Sequence, residues 1–213
     1  MNMLELYIIR HGQTDFSREN RFSGAIDPPL NEVGARMAEA FGAHYAKLKW
    51  DAIYASPRLR TRQTANALAH RIHRDVLVDE GLAEIAYGDW ESLRHEDVKE
   101  QFPEAYAYWS ADPASRGTPG GETAFLVAAR AAPVIERIKR EHPIGRVLVV
   151  SHKATIRILT CALLGMDVRL FRDRIAQQVA AVTRFELRKN GPILTLLGDV
   201  GHLPVELRDL EGT

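Results

Sequence analysis

Two short apolar runs, Leu4–Ile9 and Val147–Val150, constrain this chain more than any other feature. Val147-Leu148-Val149-Val150 has no polar alternation, the pattern of a strand covered on both faces in a parallel sheet. Leu4–Ile9 is rich in Ile, Leu and Tyr and reads as a second buried strand. Both runs stop at residues able to do chemistry, Arg10-His11-Gly12 and Ser151-His152.

The remaining pattern alternates strand with helix. Asp51–Ala55 and Val76–Val78 read as strands, and Gly145 opens the run at Val147. Asn31 caps a helix from Glu32 to about Leu48, while residues 13–31 read as an ordered loop. Ser56-Pro57 reads as an N-cap and first helical residue, opening a helix that reaches about Ile72. Residues 80–121 break the rhythm with glycine turns and the aromatics Tyr106, Tyr108 and Trp109, and read as a helical insertion capping the sheet. Glu122 opens a long helix to about Glu141, with a kink or break predicted at Pro133. A helix from Lys153 to Leu164 closes at Gly165. Val179–Leu187 and Ile193–Leu197, separated by Asn190-Gly191-Pro192, predict two late strands, and the tail after Pro204 reads as loosely held. The expectation is an α/β three-layer sandwich in one domain over residues 1–213, with a mainly parallel sheet and helices on both faces.

Composition removes several function classes. Of the 28 basic residues 22 are Arg and 6 are Lys, and 28 acidic residues balance them, which argues against a dedicated nucleic-acid binder. Cys161 is the single cysteine, so no internal disulfide or Cys-based zinc site is possible. His70 and His73 share a helix spacing but bring no carboxylate or further ligand, so no metal site or cofactor is expected. No segment reads as a membrane span, and Met1–Ile9 carries Glu5 without a basic leader; the expected location is the cytoplasm. The late strands leave a homodimer open.

In open α/β sheets, ligands bind beyond the carboxyl ends of the strands. That rule gathers Arg10 and His11 after the first strand, Ser56 and Arg60 after the second, Glu84 past the third and His152 after the fourth. Two guanidinium forks suit phosphate oxygens. A neutral histidine can attack phosphorus, a second can stabilise the developing charge, and a carboxylic acid can protonate the leaving alkoxide. Taken singly, each of these residues has an ordinary structural use: a hydrogen-bonded loop histidine, a solvated arginine, a surface ion pair.

Six segments go further. Arg10-His11-Gly12-Gln13-Thr14 resembles the Arg-His-Gly signature of the histidine phosphatase superfamily. Asp27–Gly34 is similar to its "D-x-P-L-T-x-x-G" stretch, Ser56–Ala65 to "S-P-L-x-R-A-x-Q-T-A", and Leu82–Glu91 to "L-x-E-I-x-x-G-x-W-E-G". Pro119–Thr123 resembles "P-G-G-E-S", and Val149–His152 the second-histidine motif. The resemblance implies His11 as the phosphorylated nucleophile, Arg10, Arg60 and His152 around the phosphoryl group, and Glu84 as proton donor and acceptor. It also implies substrate contacts at Ser17, Ser23, Gly24 and Lys153. Ser17 stands where the family often has Asn, Phe16 where it has Trp, Gln13 where Glu is frequent and Lys153 where Gly is common. Lys153 presents its cation either to substrate or to solvent, and the aromatics near Tyr106 either line the cleft or pack the insertion. The "E-I-x-x-G-x-W-E" form resembles the broad phosphatase branch, which includes α-ribazole phosphatase, rather than the mutases. The expected function is phosphomonoester hydrolysis of a small molecule; a mutase and a non-catalytic phospholigand binder are the alternatives.

Overall fold

A computed structural model describes residues 3–208 and residue 210. Its sheet has six strands: β1 (Leu4–Arg10), β2 (Ala52–Ala55), β3 (Val76–Val78), β4 (Gly145–Ser151), β5 (Val182–Arg188) and β6 (Gly191–Asp199). Their order is β3-β2-β4-β1-β5-β6. The first four strands run parallel, and β5 and β6 add an antiparallel hairpin at one edge.

The unbroken apolar runs explain the layering. Successive residues of a strand point to opposite faces. Val147 and Val149 of β4 therefore join Leu6 and Ile8 in a core closed by α6 (Ala124–Glu141) and α7 (Lys153–Leu164). Leu148 and Val150 join Tyr7 and Ile9 in a second core closed by α2 (Glu32–Tyr45) and α3 (Leu59–Ile72). Each fully buried Ile, Leu or Val here contributes about 1.5–3 kcal/mol.

Several local expectations differ from the outcome. Residues 13–31 contain a short helix, α1 (Asp15–Arg18), capped by Thr14. Helix α6 begins at Ala124 rather than Glu122, capped by the Thr123 side chain, which accepts from the Leu126 amide, while the Glu122 carboxylate pairs with Arg130. Helix α6 runs through Pro133 without a break; that residue lies on the exposed face, where the carbonyl it leaves unpaired is open to water. The segment after Pro204 forms a short 3-10 turn whose Leu207 is buried against Met37 and Leu203. The tail at 209 and 211–213 lies outside the described residues.

Residues 80–121 contribute two 3-10 turns, α4 (His95–Gln101) and α5 (Pro103–Ala111). They wrap a separate cluster of Phe22, Trp90, Val98 and Trp109 beside the carboxyl ends of β1 and β4. The short α8 (Phe171–Arg174) closes the far side of that opening. No helix among the described residues is long and apolar enough to cross a membrane.

Candidate active site

Strand register builds the site. Arg10 of β1 lies opposite Ser151 of β4, so the next residues, His11 and His152, emerge side by side. The His11 amide donates to the Ser151 carbonyl at 3.1 Å, and the two imidazole centroids are 5.2 Å apart. Gly12 can follow only as glycine: an added Cβ would stand 2.5 Å from the Gly34 carbonyl oxygen.

The His11 tautomer follows from its neighbour. Nδ1 is 2.7 Å from the Gly12 carbonyl, which only accepts, so Nδ1 carries the proton and Nε2 keeps its lone pair. Burial, then Arg60 and Arg10, hold the His11 pKa well below the usual histidine value. A neutral imidazole with a free Nε2 is the form that attacks phosphorus. His152 is fully buried and likewise depressed by burial, Arg60 and His11. Its Nε2 lies 2.7 Å from Ser56 Oγ. This contact corrects the expected role of Ser56, which does not cap α3; Arg58 occupies that position.

The two guanidinium groups are clamped by backbone. Arg10 Nη1 donates to the Gln177 carbonyl at 2.9 Å. Arg60 donates to the carbonyls of Ile26 at 2.9 Å and Ser23 at 3.1 Å, with Asp27 at 3.7 Å. Burial lowers both pKa values to about 10, which leaves both charged at neutral pH. Glu84 sits at the start of α7, accepting from the amides of Ala154 and Thr155 and from the Thr155 hydroxyl, each at 3.1 Å. Helix N-termini favour such a carboxylate.

Arg10, His11, Ser17, Ser23, Glu84 and Lys153 line one cavity. Arg60 and His152 lie buried behind it, within electrostatic reach of His11. The Ser17 hydroxyl also donates to the Thr14 carbonyl, and Ser23 Oγ is buried without a partner. The Gly24 amide is held by the Glu91 carboxylate at 3.0 Å, and a Cβ there would meet the Ile85 carbonyl at 1.9 Å, so Gly24 shapes the loop that receives Arg60. Lys153 does not point to solvent; it is largely buried and lines the cleft. Tyr106 and Trp109 do both things expected as alternatives, packing the insertion and lining the cleft, whereas Tyr108 is exposed. Two cleft cations, Arg157 and Arg172, are absent from the sequence reading. Arg157 was reachable, four residues after Lys153 on one helix face; Arg172 carries no local signal. Among the described residues no group of three or more His, Cys, Asp or Glu converges as a metal site.

The sequence profile of the histidine phosphatase superfamily, branch 1, matches residues 6–200. The chain belongs to this superfamily. Phosphoserine phosphatase 1 of Hydrogenobacter thermophilus is 32% identical over 169 residues, covering 79% of this chain and 80% of that one. Glucosyl-3-phosphoglycerate phosphatase of Mycolicibacterium vanbaalenii is 34% identical over 176 residues, covering 79% and 77%. The solved structure of a mycobacterial glucosyl-3-phosphoglycerate phosphatase complexed with VO3 aligns with a TM-score of 0.84 at 28% identity, covering 91% of this chain and 98% of that one. These kinships make the histidine phosphatase described here a phosphomonoesterase, and its fold that of the family.

Proposed function

We propose that this histidine phosphatase hydrolyses a small phosphate ester without a metal, through a phosphohistidine on His11. The observation that carries the reading is the neutral His11, its Nδ1–H donated to Gly12, beside two backbone-clamped arginines. Arg10 and Arg60 hold the non-bridging oxygens, and His152 donates to the charge that builds on them. The His11 Nε2 lone pair attacks phosphorus, the P–O bond to the alcohol breaks, and the Glu84 carboxyl group passes a proton to the leaving oxygen. Water then enters on the opposite stroke. Glu84 takes its proton, the hydroxide oxygen bonds to phosphorus, the P–N bond breaks, and inorganic phosphate leaves with His11 neutral again. Guanidinium charge placed where the phosphoryl oxygens gather does the neutralising a metal does in other phosphatases.

Hydrolysis of p-nitrophenyl phosphate in excess EDTA, with wild type beside His11→Ala, tests this. Turnover by wild type and none by the variant is the expected result. Turnover that requires added metal, or that survives the substitution, refutes the mechanism. Slow hydrolysis combined with fast transfer between phosphoglycerates would instead mark a mutase.

A further inference from the structure

Behind the phosphoryl cavity lies a second compartment of about 350 Å³. Tyr87, His95 and Lys153 line both, so the two are continuous. Its walls carry three cations, Lys153 and Arg157 one turn apart on α7 and Arg172 on α8, among the aromatic rings of Tyr87, Trp109 and Phe171. Among the described residues no carboxylate lines it. Among the described residues, none of the three cations pairs with a carboxylate within 4 Å; Glu84 acts on Lys153 and Arg157, and Asp173 on Arg157, from farther away. Arg157 Nε is buried without a hydrogen-bond partner, and the Arg172 guanidinium stacks over Trp109 at 4.5 Å. Like charges brought together with no directly paired carboxylate destabilise the fold, and an anion that joins them relieves that cost. Burial first, then Arg10 and Arg157, draw the Lys153 pKa down to about 7. Burial, then Arg172 and Lys153, hold His95 at about 4, so that ring stays neutral.

We propose that this compartment is an anion subsite, and that the substrate is a phosphomonoester whose alcohol bears a second anionic group, carboxylate or phosphate, held by Lys153, Arg157 and Arg172. The proposal rests on the phosphatase reading, since it places the leaving alcohol past Glu84 and into the cations. An ammonium on that alcohol is unwelcome, because the walls offer it no carboxylate.

Matched pairs of esters test it. In one arm 3-phosphoglycerate is compared with glycerol 3-phosphate, which replaces only the carboxylate; in the other, fructose 1,6-bisphosphate with fructose 6-phosphate. The preferred arm identifies the anion. Charge-assisted contacts of this kind give at least about a tenfold preference in kcat/KM for the doubly anionic ester. Arg157→Met and Arg172→Met each bring that ratio towards one, and because both esters are measured on the same protein, partial misfolding cancels. O-phosphoserine is expected to be a poorer substrate than 3-phosphoglycerate. Ratios near one in both arms, ratios untouched by both substitutions, or a preference for O-phosphoserine overturn the subsite. Failure of wild type to hydrolyse p-nitrophenyl phosphate overturns the phosphatase reading instead. In that case calorimetric binding of 3-phosphoglycerate and glycerol 3-phosphate to His11→Ala still decides the subsite, equal affinities refuting it.

Discussion

The molecule holds its cations in two ways. Arg10 and Arg60 are fixed by carbonyl groups of Gln177, Ile26 and Ser23, so their forks are set before any ligand arrives. Among the described residues, Lys153, Arg157 and Arg172 sit in the adjoining compartment without such clamps, and Arg157 Nε is buried with no partner. Groups that must match a transition state gain from being preset, since no reorganisation is then needed at the moment of reaction. Groups that only recognise the rest of a substrate can settle on it as it binds. The contrast separates what is common to phosphoryl transfer from what selects an ester.

The largest expected effect breaks the preset half at its centre. His11→Ala removes the nucleophile while Arg10, Arg60 and His152 keep their supports, so turnover of every ester should fall by more than about 10⁴-fold. Binding of inorganic phosphate, read by calorimetry, should persist. Loss of phosphate binding together with turnover would mean that His11 organises the arginines rather than attacking phosphorus.

Glu84 lies at the boundary between the two halves, and its removal should divide substrates by leaving group. Glu84→Gln keeps the shape and a hydrogen-bonding group but cannot transfer a proton. An alkyl phosphate should lose about 10²–10⁴-fold in kcat, while p-nitrophenyl phosphate, whose leaving group needs little protonation, should lose far less in the phosphorylation step. Equal loss in single-turnover phosphorylation of both substrates would leave Glu84 as a support for α7 alone.

The preset half was largely legible in the sequence and the adaptable half was not. Continuous apolar strands and the residues that end them are local signals, and parallel register carries Arg10 beside Ser151 and hence His11 beside His152. Ser56-Pro57 also gives a local signal, for a helix cap, but a 2.7 Å contact to His152, which precedes α7 96 positions away, decides what that serine does. The hold on the Gly24 amide is equally non-local, since the Glu91 carboxylate that takes it comes from 67 positions along the chain. Arg172 enters the cleft because α8 packs beside α7, a placement no pattern within residues 171–174 encodes.

A third buried histidine sharpens the comparison by lying outside both halves. His202 packs near Phe41 and Tyr45, with both ring nitrogens buried and unpartnered, and burial holds its pKa at about 4. Unfolded, it titrates near 6.5. As pH falls below that value the unfolded chain takes a proton that the folded chain refuses. The His202 contribution is therefore complete above pH 6.5, is lost between 6.5 and about 4, and levels off below. The loss is on the order of 3 kcal/mol. Urea unfolding of wild type and His202→Phe across pH 7 to 4 should show wild type losing more stability by that amount. Parallel pH profiles would mean that His202 reaches water in the folded protein.

The smallest effect concerns how firmly the preset half is braced. Arg130 on α6 donates to the carbonyls of Gly81, Ala83 and Glu84 at 2.8–3.0 Å, and to both oxygens of Glu122. One fork thus fixes the loop that aims Glu84, as the carbonyls of other loops fix Arg10 and Arg60. Arg130→Lys keeps the charge but cannot span three carbonyls and a carboxylate. Slight misplacement of a proton donor costs rate where proton transfer matters and little where it does not. Arg130→Lys should therefore lower kcat for alkyl phosphates about tenfold, leave their KM nearly unchanged, and spare p-nitrophenyl phosphate. A uniform loss across leaving groups would assign Arg130 to general stability, because only an effect that passes through Glu84 can distinguish one leaving group from another.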